Sequence, residues 1–105
     1  RSGDETREML ASLYTTVTQS VELAVQAVRD NDQRAASSVL MLKDSIRDQS
    51  EHVLTRKATR LGAEDPDYLN LVRLEMAFVD QMRRIYTLAK RSAKVALPPA
   101  LAERD

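Results

Sequence analysis

The 105-residue chain contains no cysteine, only two glycines and three prolines. The absence of cysteine excludes disulfides, thiolate metal sites and a cysteine nucleophile. Glycine and proline are too rare for the frequent turns of a β-sandwich or β-barrel. The composition therefore predicts long helices.

Net charge and long apolar runs are also lacking. Sixteen Lys+Arg balance sixteen Asp+Glu, so the chain as a whole does not attract polyanions and no nucleic-acid partner is expected. No run approaches the roughly 18 apolar residues of a membrane-spanning helix, so we expect no direct membrane insertion by this segment. The first residue is Arg1 and not methionine, so we expect the chain to be part of a longer protein.

Apolar residues recur at spacings of three and four along most of the chain, which is the period of amphipathic helices. Helices of similar length joined by short turns favour antiparallel packing. The sequence therefore predicts one all-α domain over 1–97, an antiparallel up-down-up three-helix bundle, followed by a tail at 98–105. The predicted helices span about 4–29, 32–61 and 66–97.

Helix-end signals define these boundaries. Ser2 is a candidate N-cap with Glu5 three residues later, which is a capping-box pattern. Asn31 or Asp32 can cap the second helix. The break at 62–66 combines a glycine suited to a helix C terminus with a proline suited to the first turn of the next helix.

Each of the first two helices carries one apolar stripe. The first stripe comprises Leu10, Leu13, Val17, Val21, Ala24 and Val28. The second comprises Ala35, Val39, Leu42, Ile46 and Val53.

The third helix is apolar over more than half of its circumference. Two neighbouring helices would leave part of this arc exposed, so we predict self-association through helices, or pairing with another domain. The interface candidates on the arc are Leu74, Phe78, Ile85 and Leu88.

Glu75 lies near the centre of the apolar arc, where the pattern favours an apolar residue. A buried carboxylate needs a compensating partner. In one interpretation it forms an ion pair with Arg56, Lys57 or Arg60 at the end of the preceding helix. In another it is a metal ligand or a polar contact whose partner lies elsewhere. The third interpretation is simple exposure at a bundle end.

Two further polar features have solvent-exposed surfaces as their simplest interpretation. His52, the one histidine, lies on the flank of the second helix, and its neighbouring acids do not form a metal site. The third helix has a basic C-terminal half that suits the helix dipole and could also attract phosphates or acidic partners. Glycine-rich phosphate loops, paired catalytic carboxylates and nucleophile elbows are absent from the sequence, so an enzyme is not expected.

The segment Tyr68–Arg91, preceded by His52–Leu61, resembles the last helices of a PhoU-like domain. It is most similar to the PhoU-like domain that follows the membrane part of bacterial sodium/phosphate cotransporters. In that family a leucine-rich helix passes through a Leu-Lys-Arg-Ile-like centre, represented here by Met82–Ile85, into a small-residue end, represented by Leu88-Ala89.

The resemblance implies a cytoplasmic regulatory domain of a sodium-dependent phosphate transporter, at the cytoplasmic face of the bacterial inner membrane within a larger membrane protein. Its partner would be the transporter part of the parent chain. PhoU proteins can hold metal clusters through Glu-x-x-x-Asp motifs, but Glu75 and Asp80 are five residues apart and Glu22 lacks an acid four residues later. No cofactor is therefore expected, with Glu75 the one candidate ligand for a divalent metal. The alternative function is a helical dimerisation or scaffolding module of a signalling protein unrelated to phosphate.

Overall fold

The computed structural model describes residues 2–58 and 65–103, and the regular secondary structure of these residues consists of α-helices, with no strands. The all-α prediction is confirmed. The helices form a body measuring 51 × 21 × 17 Å, longer than one 29-residue helix, which spans about 44 Å at 1.5 Å per residue. The elements are α1 (Ser2–Asp30), α2 (Gln33–Met41), α3 (Lys43–Ala58), α4 (Pro66–Lys94) and α5 (Pro99–Ala102).

The segment predicted as one helix over 32–61 is divided into α2 and α3 at Leu42, and the end predicted at 61 lies outside the described residues. The Leu42 amide donates to the Val39 carbonyl at 3.2 Å, which tightens the last turn of α2. The Tyr86 hydroxyl of α4 also donates to the Val39 carbonyl, at 2.8 Å. That carbonyl would accept from the amide four residues later in a continuous helix, so the inserted hydroxyl accounts for the break.

The C-terminal boundary also differs from the prediction. Helix α4 ends at Lys94 and not at residue 97, and α5 occupies part of the predicted tail. Pro98 precedes α5, and its carbonyl accepts from the amides of Leu101 and Ala102 at 3.0 and 2.9 Å. The prolines therefore begin a new helix after α4 has already ended, because proline suits a first helical turn.

Of the predicted helix caps, Asp32 is confirmed, whereas Ser2 is the first residue of α1 itself. The Asp32 Oδ1 atom accepts from the Ala35 amide at 3.0 Å and so caps α2. Asn31 has a φ of 50°, a left-handed conformation that asparagine tolerates better than most residues. Asp65 Oδ1 accepts from the Asp67 amide at 3.0 Å at the start of α4.

The cap at Asp32 is expected to make stability depend on pH. The Ala35 amide and the Gln26 side chain donate to the Asp32 carboxylate and lower its pKa below the usual value. Its stabilising effect is therefore fully present above the unfolded pKa of about 3.9 and is lost as the pH falls through the lower folded pKa. We expect Asp32→Ala to lower the Tm by about 4 °C at pH 7.

Asp32→Asn is the matched control, because asparagine keeps an acceptor oxygen but does not titrate. The difference in Tm between the unsubstituted protein and Asp32→Asn should shrink between pH 7 and pH 2 when thermal unfolding is followed by circular dichroism. An equal difference at both pH values would show that the carboxylate charge does not stabilise the cap.

The inner row of α1 departs from the predicted stripe at two positions. Leu13, Val17 and Ala24 are buried as predicted. Val21 and Val28 were predicted in the core and are exposed, so this part of the prediction is wrong. The residues that precede them, Ser20 and Ala27, are fully buried instead.

The second predicted stripe lies in the core, with Leu42 packed at its edge. Ser50 is fully buried beside this stripe, and its hydroxyl donates to the Ile46 carbonyl at 2.7 Å. This local bond satisfies the hydroxyl, so a polar residue is accepted where the stripe is interrupted.

Much of the core consists of small side chains, which allow helix backbones to approach closely. Helices α1 and α4 share the most extensive contact of any two elements. Each alanine buries little apolar area. Several large apolar side chains of α1 and α4 lie outside the core instead and are available for other contacts. The buried alanines are Ala24, Ala27, Ala35, Ala36, Ala89, Ala93 and Ala96.

Candidate functional site

An apolar groove of about 550 Å³ runs between α1 and α4. Both helices contribute apolar side chains to it, at positions three or four residues apart, so each set lies on one helix face. The residues that line it are Val21, Ala24, Val25, Val28 and Arg29 of α1 and Ile85, Leu88, Ala89 and Ser92 of α4.

Large apolar side chains point outward along this groove while small ones point inward. Val25, Val28 and Leu88 are 55%, 52% and 60% exposed. Ala24 and Ala89, which line the same groove, are buried. Hydrophobic burial favours the opposite arrangement in an isolated bundle, because a valine or leucine gains more than an alanine on leaving water.

The interface candidates on α4 lie on one side of that helix. Leu74 and Leu88 are strongly exposed, whereas Phe78 and Ile85 are half-buried and pack against the core. Tyr14 of α1 is also exposed and lies on the same helix face as Val25. Exposed apolar residues therefore continue along both helices beyond the groove itself.

Arg29 is the one charged residue among the described residues that line the groove. Its guanidinium group lies 3.0 Å from Asp30 Oδ2 and makes two hydrogen bonds to that carboxylate. This pairing lowers the pKa of Asp30 and raises that of Arg29. The groove therefore presents an apolar surface whose edge is electrically balanced.

Glu75 is half-buried on α4, with its Oε1 atom shielded from solvent. Arg56, one of its predicted partners, has its Nη2 atom 2.6 Å from Oε2 of Glu5 on α1. The sequence analysis missed Glu5 because only the packing of α3 against α1 brings it there. The side chain of Lys57 and the whole of Arg60 lie outside the described residues, so the predicted ion pair of Glu75 with either of them stays a prediction.

His52 is exposed, as predicted, and lines a shallow cleft of about 340 Å³ together with Glu5, Glu8 and Gln49. Within residues 2–58 and 65–103, no group of three or more histidine, aspartate or glutamate side chains is placed to hold a metal ion. The cleft therefore offers no assembled metal site in the part of the chain that the structure describes.

Gln49 joins α1 to α3 through side-chain hydrogen bonds. Its amide oxygen accepts from the Ser12 hydroxyl at 3.1 Å, and its amide nitrogen donates to the hydroxyl oxygens of Thr16 and Ser45 at 3.0 Å each. These bonds join half-buried Thr16 of α1 to α3. Ser12 and Thr16 are four residues apart on α1, as are Ser45 and Gln49 on α3, and this helical spacing was the available sequence signal.

Comparison with known proteins yields no match to a protein family, a curated protein or a solved structure. The resemblance to PhoU-like domains therefore stays a prediction. The helices of the described ranges contain no apolar stretch of the length needed to cross a membrane.

Proposed function

We propose that this chain is a helical self-association module in which α1 and α4 of one copy pack against α1 and α4 of a second. The proposal rests on the side chains at the groove, where large apolar residues are exposed and alanines are buried. Val25, Val28 and Leu88 project outward while alanines occupy the inner positions. A second copy would bury these side chains and complete a four-helix layer, which is a common architecture for paired helices.

The size of the face supports a second copy as the occupant. The body is 51 Å long and 21 Å wide, so one long side exceeds the approximately 800 Å² per partner of a standard protein interface. A two-fold dimer uses the same face on both copies, so both exposed faces would be covered at once.

Charge also permits this pairing. The chain has no formal net charge at pH 7, so two copies experience no net repulsion. The guanidinium group of Arg29 at the groove already pairs with Asp30, so the contact does not require burial of a lone charge.

Within each copy we propose the up-down-up arrangement, with α2 and α3 together forming the descending arm. Two contacts between α1 and α3 support opposite directions: Arg56 with Glu5, and Gln49 with Ser12. The residue numbers rise along one helix as they fall along the other. In this arrangement α1 and α4 would be parallel, which is compatible with the groove that they share.

The regulatory setting proposed for the module is the cytoplasmic side of a sodium-dependent phosphate transporter. Its support is the resemblance of the segment Tyr68–Arg91 to PhoU-like domains. Self-association would then act by favouring one conformational state of the attached transporter, with no chemistry performed by the bundle. A receiver, kinase or DNA-binding domain in the parent chain would instead favour a signalling scaffold.

The molar mass in solution tests self-association directly. Light scattering over a dilution series is expected to give a mass near twice the 11.8 kDa of one chain, with dissociation at low concentration. The mass should be unchanged by a chelator and by Glu75→Gln, because the proposed contact uses neither metal nor that carboxylate. A monomer at every concentration would contradict the proposal. A dimer lost on chelation would assign pairing to a metal site instead.

A further inference from the structure

A basic cleft of about 210 Å³ lies between α3 and α4, separate from the apolar groove. Four of its lining side chains are cationic, and no acid lines it among the described residues. The lining residues are Lys43, Ile46 and Arg47 of α3 and Arg83, Tyr86, Thr87 and Lys90 of α4.

Helical spacing brings the cations to one place. Lys43 and Arg47 are one turn apart on α3, and Arg83 and Lys90 are two turns apart on α4. Two pairs of positive side chains therefore face one cleft from opposite walls. Like charges gathered in this way repel one another, and a bound anion relieves that repulsion.

Tyr86 belongs to the buried part of the cleft lining. Its hydroxyl donates to the Val39 carbonyl at 2.8 Å. The Lys90 ammonium group lies 5.9 Å from the centre of the Tyr86 ring, which holds the cation over an aromatic face. The Thr87 hydroxyl, bonded to the Arg83 carbonyl at 3.0 Å, lies between the two cations of α4.

Several acids pair with arginines of α3 and α4 without lining the cleft. Arg47 pairs at 3.2 Å with each of Asp44 and Asp48, and these carboxylates raise its pKa. Asp80 pairs with Arg84, at 3.2 Å. These carboxylates offset part of the positive charge on the α3 side, but they do not line the cleft, so its lining remains cationic.

We propose that this cleft binds a phosphate dianion, either free or as the monoester of a small molecule. A phosphate offers several acceptor oxygens at once, which suits arginine and lysine donors converging from two helices. The volume equals that of roughly seven water molecules, enough for a phosphate group and a few carbon atoms but not for a nucleic-acid strand. The proposed anion site uses only the side chains of this cleft. It therefore does not depend on the proposed contact between two copies through α1 and α4.

Inorganic phosphate and glycerol 3-phosphate are suitable probes in an NMR titration of the ¹⁵N-labelled protein at constant ionic strength. We expect saturable shifts of the amides around Lys43 and Thr87. Arg83→Gln and Lys90→Gln should each weaken binding by about tenfold, the loss of one charge-assisted hydrogen bond. Arg91→Gln is the matched control, since Arg91 lies on the same helix but not in the lining of the cleft.

The outcomes separate a site from a general electrostatic attraction. Equal weakening by all three substitutions would show a diffuse positive field and would overturn the proposal, as would shifts that do not saturate. Tighter binding of glycerol 3-phosphate than of phosphate would support a monoester that contacts Ile46, and equal binding would support the phosphate group alone. Unchanged circular dichroism of the variants excludes misfolding as the cause.

Discussion

Val25→Glu and Leu88→Glu are each expected to convert the dimer into a monomer while leaving the bundle folded. Both side chains are more than half exposed in one copy, so a glutamate there remains hydrated in the monomer. In a two-fold dimer each substitution would be present twice in the interface, once from each copy. Burial of unpaired carboxylates costs several kcal/mol, so the dimer should weaken by at least about a hundredfold.

Met41→Glu is the matched control for this pair of substitutions. Met41 is 80% exposed on α2 and does not line the groove. Sedimentation equilibrium should therefore give a monomer for the two groove variants and an unchanged dimer for Met41→Glu, with similar helical content by circular dichroism for all three. Three variants that remain dimeric would place the contact elsewhere. Equal dissociation of all three would indicate nonspecific apolar association.

Removal of the Tyr86 side chain should produce the largest loss of stability within one copy. The ring is buried among the helices, and its hydroxyl donates to the Val39 carbonyl at the junction of α2 and α3. Tyr86→Ala is therefore expected to lower the free energy of unfolding by about 3–5 kcal/mol, the usual cost of removing a buried aromatic ring. Urea denaturation at a fixed protein concentration measures this change.

Tyr86→Phe separates the hydrogen bond from the packing, because phenylalanine keeps the ring. The expected loss is about 1 kcal/mol, the net value of one hydrogen bond. Tyr14→Phe, at an exposed tyrosine of α1, should change the free energy by less than about 0.5 kcal/mol. If Tyr86→Phe unfolds at the same urea concentration as the unsubstituted protein, the bond to Val39 contributes nothing to stability.

A local signal in the sequence predicted the cap of α2 correctly. Asp32, one of its two candidates, accepts from an amide three residues away, and Asp65, which was not predicted as a cap, accepts from an amide two residues away. Both roles depend on neighbouring sequence alone. The break at Leu42 could not be predicted in this way, because the hydroxyl inserted there belongs to a residue 47 positions from Val39.

The buried side of α1 shows a second limit of prediction from hydrophobic periodicity. A hydrophobicity pattern ranks Val21 above Ser20 and Val28 above Ala27, yet the close approach of α1 to its neighbours requires the smaller side chain of each pair. The exposed part of α4 was predictable, because an apolar arc over half of a helix exceeds what two neighbours can cover.

The two candidate sites differ in how far sequence could reveal them. Leu74 and Leu88 were recognisable as surface candidates from α4 alone. The basic cleft needed Lys43 and Arg47 as well, and only tertiary packing brings them opposite Arg83. Glu5 became a partner of Arg56 for the same reason.

The extensive contact between α1 and α4 joins the first and last long helices of the bundle, and this determines when the core can close. During synthesis α1 and the α2–α3 arm emerge before α4, so the inner side of α1 has only part of its cover. The final packing step must bring together segments more than sixty residues apart, such as Val21 and Ile85, and closure of such a long loop slows folding. A nascent chain that stops short of Pro66 therefore lacks the most extensive helix contact of the bundle.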